Sequence, residues 1–554
     1  MIHSERHELK RELASLIRRL EPDTHQNVTP LLDPLIDGID AQHTHVLLSD
    51  AQCGNLTDRP CPNLIGDPAG NSPMLLWDNR LYFRRYYNLE RRIANQLTMR
   101  HRELNRSELG ERMQRVRKSF PMLSAQQIEA IELAQTRSLS IITGGPGTGK
   151  TTLIKALVSS ALEPDSDLRV ALAAPTGKAV ARLETSLEGL PESHGRVEVK
   201  TLHRLLGYGA GGRPRYHSNR RLALDLLVID EASMIDLNLA DALLQALPDE
   251  ARLILIGDPN QLPSVNLGRL LADLAQPLQS GELLLQAAQC RLTENFRFEA
   301  QSGIDALAQA IVAKQPMSIE QDSSVQWLEP EALDDQLLTQ AFRGWLDCLR
   351  KPSTPSDFFE TLDACRILAP QHGGPYGVIA LNHRVVSMLQ QLKLIEINHR
   401  DHFHGQPLLI MKNDYSLDLF NGDVGFCIDP KQCCDLGLDL PHSSGLIACF
   451  KQHRENTLRY FSIDALPEHE TCFAMTVHKA QGSEFDEVLL VLDESNPEAD
   501  HHLLTQELLY TGVTRAKERL KLVTSQQNWA RATQHRFERR SGLKAMLSAL
   551  AEAP

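Results

Sequence analysis

The 554-residue sequence lacks the features that would place a protein in a membrane or outside the cell. No apolar run approaches the ~20 residues needed to cross a bilayer. The N-terminal stretch MIHSERHELKRELASLIRRLEPD has neither the apolar segment nor the small-residue cleavage site of a secretory signal. The ten cysteines are scattered without a C-x-x-C or zinc spacing, which favours reduced thiols. We therefore expect a cytoplasmic protein with no membrane partner.

Positive charge is also scarce, because 58 Lys and Arg residues face 71 Asp and Glu residues and leave a net charge of −13. Taken alone, this balance disfavours a nucleic-acid partner, which usually requires a basic surface. The charge is uneven, however, and residues 80–118 (RLYFRRYYNLERRIANQLTMRHRELNRSELGERMQRVRK) are strongly basic. Two interpretations stay open: a solvated helical face with a linker, or a docking surface for an acidic partner or DNA.

The pattern of apolar runs divides the chain into regions. Short runs that are apolar on both faces alternate with helical segments over residues 119–289 and again over 290–554, as in parallel sheets covered by helices. Residues from about 395 to 472 instead read as short strands with an Asn-Gly turn, which predicts a small inserted β-barrel. We predict an α/β protein with a mainly helical N-terminal domain, residues 1–118, before two α/β domains.

A phosphate-binding loop is the strongest signal in the sequence. Residues 144–151 (GGPGTGKT) match G-x-x-x-x-G-K-[ST] between an apolar strand and a helix. The glycines let backbone N–H groups face phosphates, and the helix N-terminus adds positive potential. We expect Lys150 to reach the β- and γ-phosphates of ATP and Thr151 to ligate Mg²⁺. The predicted nucleotide-binding set is Gly144, Gly145, Pro146, Gly147, Thr148, Gly149, Lys150, Thr151 and Thr152.

Carboxylates that complete an ATPase follow another apolar strand, in LLVIDEASMID. Asp230 is placed to hold Mg²⁺, and Glu231 to orient and deprotonate the attacking water. Downstream, GDPNQLPSV offers Gln261 as a γ-phosphate sensor, although the same residues also fit an ordinary Asp-Pro-Asn turn. Upstream, Gln126 and Gln127 carry amides that can pair with an adenine edge.

Two arginines are candidates for a charge supplied to the transferring phosphoryl group. Arg297 lies in LTENFRF and Arg515 in YTGVTRAKE, both assigned to the second half of the chain. A finger supplied from another domain makes hydrolysis depend on domain closure. If both arginines point into the cleft, closure on ATP becomes a mechanical stroke.

The ordered motifs carry a family resemblance. GGPGTGKTT, APTGKAVARL, TLHRLLG, DEAS, GDPNQLPSV, TENFR, TVHKAQGSEFDEV and YTGVTRAKE span about residues 123–523. In this order they resemble the superfamily 1 DNA helicases of the 5′→3′ branch, and within it the RecD family, the alpha subunits of exodeoxyribonuclease V. The resemblance implies two RecA-like P-loop domains, an SH3-like barrel, and an ATP- and Mg²⁺-dependent helicase for DNA repair and recombination.

The resemblance also implies roles for residues and partners. Gln127 matches an adenine-reading glutamine, and Lys150, Thr151, Asp230, Glu231, Gln261, Arg297 and Arg515 match the ATPase positions. Single-stranded DNA would be contacted by Thr176, Thr201, His203, Thr476 and His478, whose side chains can bond phosphates without reading bases. For each of them singly, a local cap or turn role stays open. RecB- and RecC-like subunits are the implied partners, with the nuclease on RecB. A stand-alone superfamily 1 helicase and a nucleotide-binding regulatory subunit stay open as alternatives.

Overall fold

The computed structural model builds four β-sheets flanked by helices. It describes residues 3–58, 60–105, 108–162, 167–188, 197–209, 211–275, 288–296, 303–315, 324–397, 401–414, 416–433, 445–452, 457–492, 504–536 and 539–552. Among these residues no helix combines the length and apolar character needed to cross a membrane. The nine cysteines within them are free thiols.

The N-terminal region is mainly helical, as predicted, but it also contains a small sheet of order β1-β4-β3-β2. Its apolar cluster joins the helices to this sheet, with Val28 and Leu81 fully buried. Its elements are α1 (His3–Leu20), α2 (His25–Val28), α3 (Leu32–Asp40), β1 (His45–Leu47), α4 (Asp50–Asp58), β2 (Ile65–Gly66), β3 (Met74–Trp77), β4 (Arg80–Phe83), α5 (Arg84–Arg100) and α6 (Leu109–Ser119).

The first of the two predicted RecA-like domains is called the first motor domain below. It contains a parallel sheet of order β10-β5-β9-β8-β6-β7. Its central strands are buried throughout, which explains their unbroken apolar runs. Its elements are α7 (Ala125–Thr136), β5 (Leu139–Gly144), α8 (Lys150–Ala161), β6 (Val170–Ala174), α9 (Gly177–Leu187), β7 (Val197–Thr201), α10 (Leu202–Leu205), β8 (Leu226–Ile229), α11 (Leu237–Ala246), β9 (Arg252–Gly257), α12 (Leu270–Ala275) and β10 (Gln289–Leu292).

The second motor domain has a parallel sheet of order β11-β20-β19-β12-β18. The predicted pair of P-loop-type α/β domains is therefore confirmed. The elements before the insertion are α13 (Gly303–Ala313), β11 (Val325–Leu328), α14 (Asp335–Ala341), α15 (Arg343–Arg350), α16 (Pro355–Ala364), β12 (Cys365–Ala369) and α17 (Val378–Gln391).

An antiparallel sheet of order β16-β15-β14-β13-β17 interrupts this domain where the sequence predicts a barrel. Its strands are β13 (Pro407–Ile410), β14 (Val424–Ile428), β15 (Ile447–Lys451), β16 (Leu458–Ser462) and β17 (His469–Thr471). The domain then resumes with β18 (Ala474–Thr476), β19 (Phe485–Val491), α18 (Gln506–Val513), β20 (Ala516–Val523) and α19 (Gln526–Gln534), and α20 (Leu543–Glu552) follows it.

The structure moves the boundary between the motor domains. β10 pairs in parallel with β5, so the first domain extends at least to Leu292 rather than ending at residue 289. The apolar run that forms β10 is short, and its assignment depends on a partner strand more than 140 residues earlier. At the other end, α20 packs on α5 in the cluster that contains α11, and so it does not belong to the core of the second domain.

Part of the basic stretch is a contact within the chain. Arg92 on α5 forms a two-pronged ion pair with Asp241 on α11, with N···O distances of 3.0 and 2.7 Å. Arg100 is 1% exposed and donates to the carbonyls of Leu247 and Pro248 at the end of α11, both at 2.7 Å. Arg100 thus stabilises the carbonyl end of the helix, and Arg92 ties α5 to its middle. The two interpretations based on charge alone, a solvated face or a docking surface, do not include this contact within the chain.

Candidate ATP site and nucleic-acid interface

The phosphate loop connects the end of β5 at Gly144 to the start of α8 at Lys150. Gly147 and Gly149 have φ values of 81° and 72°, a backbone region that side chains other than glycine rarely adopt. The chain can therefore curl tightly enough to turn successive N–H groups inward. A helix N-terminus behind such a turn is a ready anion site.

Lys150 folds back over the loop that it follows. Its ammonium group donates to the carbonyls of Gly144 at 2.8 Å and Gly145 at 2.9 Å. Thr148 closes the same turn by donating its hydroxyl to the Gly145 carbonyl at 2.8 Å. The lysine is thus held at the mouth of the cradle. Of the other predicted positions, Pro146 lies within the loop, while Thr151 and Thr152 lie in the first turn of α8.

The two glutamines before β5 have different contacts. Gln127 is buried and completes a capping box with Ser124, while its amide nitrogen donates to the Thr148 carbonyl at 3.2 Å. Gln126 instead binds the segment after β10, because its amide oxygen accepts from the Thr293 N–H at 2.8 Å and its nitrogen donates to the Thr293 hydroxyl at 2.7 Å. Gln127 therefore supports the phosphate loop, and its pairing with adenine stays a prediction.

The predicted carboxylates follow directly after β8. Asp230 accepts the backbone N–H of Glu231 at 2.9 Å. Burial and the neighbouring Glu231 raise the pKa of Asp230 to about 6, against the lowering effect of Lys150. Glu231 has a φ of 52° and begins a short 3₁₀ turn. A carboxylate that lies near the loop lysine, and whose charge is costly without a cation, suits a divalent metal.

Gln261 lies at the carboxyl end of β9, beside a carboxylate that the sequence interpretation treated as a turn residue. Asp258 is 0% exposed, and one of its oxygens accepts from the Gln261 amide at 3.3 Å and from the Tyr510 hydroxyl at 2.9 Å. Burial raises the pKa of Asp258, while Lys150 lowers it. The tyrosine comes from α18 of the second motor domain, so this contact crosses between the domains.

A cavity of about 630 Å³ lies between the motor domains, within the size range of nucleotide and cofactor pockets. Its walls bring together the phosphate loop, the end of β9, the segment after β10, α13 and α18. They include basic residues absent from the predicted set: Arg269, Arg291 and Arg536. The cavity has polar and apolar walls, and Gly144 and Gly145 of the phosphate loop are among its lining residues.

Arg515 is not a surface charge, since only 2% of it is exposed. Its guanidinium group donates to the carbonyl of Thr511 at 3.0 Å, the carbonyl of Ser483 at 3.1 Å and the hydroxyl of Thr514 at 3.3 Å. All three partners lie in the second motor domain. An action on a phosphate bound at the loop therefore requires some of these bonds to be exchanged, and the finger role stays a prediction.

The other predicted finger, Arg297, lies outside the described residues. Its neighbour Phe296 is described and donates its backbone N–H to the Gly147 carbonyl of the phosphate loop at 2.8 Å. This places the start of the TENFR motif on the first motor domain. The sequence interpretation had assigned the motif to the second half of the chain.

The predicted DNA-contacting threonines occupy helix or turn starts. Thr176 and Thr201 are N-caps of α9 and α10, and Thr476 accepts the N–H of Lys479 at 3.3 Å. His203 lies against the Tyr208 ring, with centroids 5.2 Å apart. For His478, burial and the nearby Arg539 lower the pKa, which favours the neutral imidazole. Local capping is thus observed, and the DNA contacts stay predictions.

The segments that carry these residues face each other across the motor domains. Lys178 donates to the Ser483 hydroxyl at 3.2 Å, and Arg182 pairs with Glu484 at 3.0 Å. The barrel joins them through Arg204, which pairs with Asp418 at 2.9 Å and lies 4.0 Å from the ring centroid of Phe420. A nucleic-acid strand bound here would touch both motor domains and the barrel.

Two parallel sheets with a phosphate loop at their junction define the class of two-domain P-loop motors, and family models refine it. The model of an AAA domain matches residues 127–267, and that of a UvrD-like helicase C-terminal domain matches residues 471–523. Among solved structures, the Pif1 helicase from Candida albicans covers 78% of this chain and 99% of its own, with a TM-score of 0.43 and 18% identity.

Curated relatives give the family. The RecBCD enzyme subunit RecD of Haemophilus influenzae is 33% identical over 90% of this chain and 84% of its own length. RecD of Mycobacterium tuberculosis is also 33% identical, over 90% and 88%. The ATP-dependent RecD2 DNA helicase of Deinococcus radiodurans is 30% identical over 76% of this chain but only 51% of its own. The chain belongs to the RecD family and is an ATP-dependent helicase subunit.

Proposed function

We propose that the chain is the 5′→3′ motor of a RecBCD-type exodeoxyribonuclease V complex, which acts in the cytoplasm in double-strand break repair and homologous recombination. The observation that carries the proposal is the shared cleft. The phosphate loop and the carboxyl end of β9 line it from one motor domain, and α18 lines it from the other. Nucleotide binding between two domains is what converts hydrolysis into relative motion.

Each polar group near the cleft has a proposed task. Lys150 exchanges its bonds to the Gly144 and Gly145 carbonyls for the β- and γ-phosphates of ATP. The Thr151 hydroxyl and the Asp230 carboxylate are hard oxygen ligands suited to Mg²⁺, which supplies charge neutralisation on the phosphates. Glu231 deprotonates the attacking water. Gln261 senses the γ-phosphate, and Arg297 and Arg515 act on charge that develops in the transition state.

Single-stranded DNA is proposed to cross both motor domains. Thr176, Thr201 and His203 would contact it from the first domain, and Thr476 and His478 from the second. The barrel would cover the strand, since its Asp418 and Phe420 already contact Arg204 of the first domain. Backbone contacts of this kind provide sequence-independent binding.

Polarity is tested with the purified full-length chain on single-stranded DNA that carries streptavidin on either end. A 5′→3′ motor displaces streptavidin from a 3′-biotin and leaves a 5′-biotin occupied. Lys150→Ala, which removes the phosphate contact but leaves the fold intact, is the control. Displacement from the 5′ end alone would refute the proposed polarity, and equal displacement by Lys150→Ala would refute the ATPase site.

The N-terminal region is proposed to dock on RecB- and RecC-like subunits. Apart from the arginines bound to α11, it presents Leu16 and Leu20, which are 42% and 38% exposed and one turn apart on α1. Exposed leucines on one helix face are candidates for a protein interface. The double substitution Leu16→Glu and Leu20→Glu tests this by pull-down against both subunits.

We expect the double variant to lose assembly while it keeps ATP binding. Ile379→Glu, at a position that is 48% exposed on α17 in the second motor domain, is the matched control. Undiminished assembly of the double variant would refute docking through this helix face.

A further inference from the structure

The second motor domain forms hydrogen bonds and apolar contacts with the segment after β9. The Leu262 N–H donates to the Thr511 hydroxyl at 2.8 Å, and the Leu262 carbonyl accepts from the Gln481 amide at 2.7 Å. The Leu262 side chain is 1% exposed and packs in the apolar cluster of the second domain. This residue therefore follows the second domain, although its chain neighbours belong to the first.

A third bond lies four residues earlier, on the nucleotide side. The Tyr510 hydroxyl donates to Asp258 at 2.9 Å, and the same carboxylate oxygen accepts from the Gln261 amide at 3.3 Å. Tyr510 is 6% exposed, and burial together with Asp258 raises its pKa well above the usual value. The group therefore stays a hydrogen-bond donor at every working pH.

The same hydroxyl also reaches the phosphate loop. A Cβ atom added to Gly145 would come within 3.0 Å of the Tyr510 oxygen, so the hydroxyl lies against the backbone that lines the cradle. Three parts thus meet at one oxygen atom: the phosphate loop, the buried carboxylate at the end of β9, and α18. Gln261 lies between two positions, Asp258 and Leu262, that α18 holds directly.

From this arrangement we infer that Tyr510 is a positioning residue that sets the orientation of Gln261 through Asp258 and so makes ATP turnover depend on the placement of the second motor domain. The inference rests on the proposed role of Gln261 in turnover. When α18 shifts relative to β9, the bonds at Asp258 and Leu262 shift together, and Gln261 must follow. When the second motor domain is correctly placed, Gln261 is oriented for turnover. When that domain is displaced, Gln261 moves out of this orientation.

The test is Tyr510→Phe in the full-length chain, assayed as steady-state ATPase with and without saturating oligo(dT). The ring and its packing remain, and only the hydroxyl is lost. We expect kcat with oligo(dT) to fall about tenfold, the effect of one hydrogen bond to a charged group, with KM for ATP unchanged. Tyr82→Phe is the matched control, because Tyr82 is a fully buried tyrosine that donates to the buried Glu90 at 3.1 Å in the N-terminal region.

A double substitution separates this inference from the proposed function. If Tyr510 acts through Gln261, Tyr510→Phe has no further effect in a Gln261→Ala background. A tenfold additional loss in that background, or a rise in KM with kcat intact, would overturn the positioning role. Normal turnover by Gln261→Ala itself would instead refute the sensor role in the proposed function. Impaired Gln261→Ala with normal Tyr510→Phe would refute the inference alone.

Discussion

Replacing Arg515 with alanine is expected to have two separable effects, on stability and on turnover. The stability effect follows from the structure. The guanidinium group is buried and donates hydrogen bonds to two carbonyls and to a threonine hydroxyl. Hydrogen bonds to charged groups contribute about 1.5–3 kcal/mol each, and a stranded buried acceptor costs about 1–3 kcal/mol. Together these contributions reach the range of about 4–5 kcal/mol that single substitutions seldom exceed, so we expect the free energy of unfolding to fall by about 4 kcal/mol.

We expect kcat of Arg515→Ala to fall further than the loss of folded protein alone would cause. A finger stabilises charge present only in the transition state, so its removal lowers kcat rather than ATP affinity. Arginine fingers contribute at least about 10³ in kcat, which corresponds to about 4 kcal/mol of barrier. The assay is ATPase at saturating single-stranded DNA and ATP, normalised to the folded fraction measured by denaturant unfolding.

Arg366→Ala provides the matched control for Arg515→Ala. Arg366 is another arginine of the second motor domain, 1% exposed, which donates to the carbonyls of Cys472 and Leu362. We expect it to lose comparable stability while the folded protein keeps near-normal kcat. If folded Arg515→Ala turned over as fast as folded Arg366→Ala, the finger role would be rejected and Arg515 would be a structural residue only.

Three other results are expected. Lys150→Ala should lower kcat/KM for ATP by orders of magnitude with an unchanged unfolding midpoint, and near-normal ATPase would contradict its role. Glu231→Gln should bind ATP and Mg²⁺ in equilibrium titrations yet turn over slowly, because the water loses its base; lost binding would contradict the assignment. Burial raises the pKa of Glu90 to about 7, above the ~4.3 of an unfolded chain, so the folded state binds the extra proton and stability should fall as pH rises from about 4 to about 7. Glu90→Gln should flatten that slope, and an unchanged slope would show that other groups cause it.

The features that could be predicted from the sequence are those formed by residues close together in the chain. The phosphate loop needs a strand, a glycine-rich turn and a helix within about twenty residues, and all three occur between Leu139 and Ala161. The barrel is similarly local, because its strands pair mostly with sequence neighbours. The position of Asp230 and Glu231 directly after one buried strand is equally local, and their roles stay predictions.

The parts that escaped prediction depend on partners far away in the chain. Asp258 accepts a hydrogen bond from Tyr510, which lies 252 residues later. Gln126 binds a segment 167 residues away. In Asp-Pro-Asn-Gln the aspartate equally suits an exposed turn, and no local pattern shows that it is fully buried. The available signal was the position of this carboxylate at the end of an apolar strand beside a phosphate loop.

The segment after α19 links residues 80–118 to the first motor domain. After α19 the chain leaves the second motor domain, and Arg539 donates to the carbonyl of Val265 at 2.9 Å, just beyond Gln261. Ser541 and Gly542 then donate to Glu90 on α5 at 2.9 and 3.0 Å. The N-terminal region, the first motor domain and the C-terminus are thus tied together around the ATP site.

The N-terminal region shares a packed core with the first motor domain. Ile93 and Leu97 of α5 pack with Leu243 and Leu244 of α11 in one core. Removal of residues 1–118 would expose that core, so the region cannot be a detachable docking module. A partner bound to α1, as proposed, would be joined through packed elements to the motor itself. Docking and motor action would then share one folded unit, and substitutions on the exposed face of α1 would separate them where a truncation cannot.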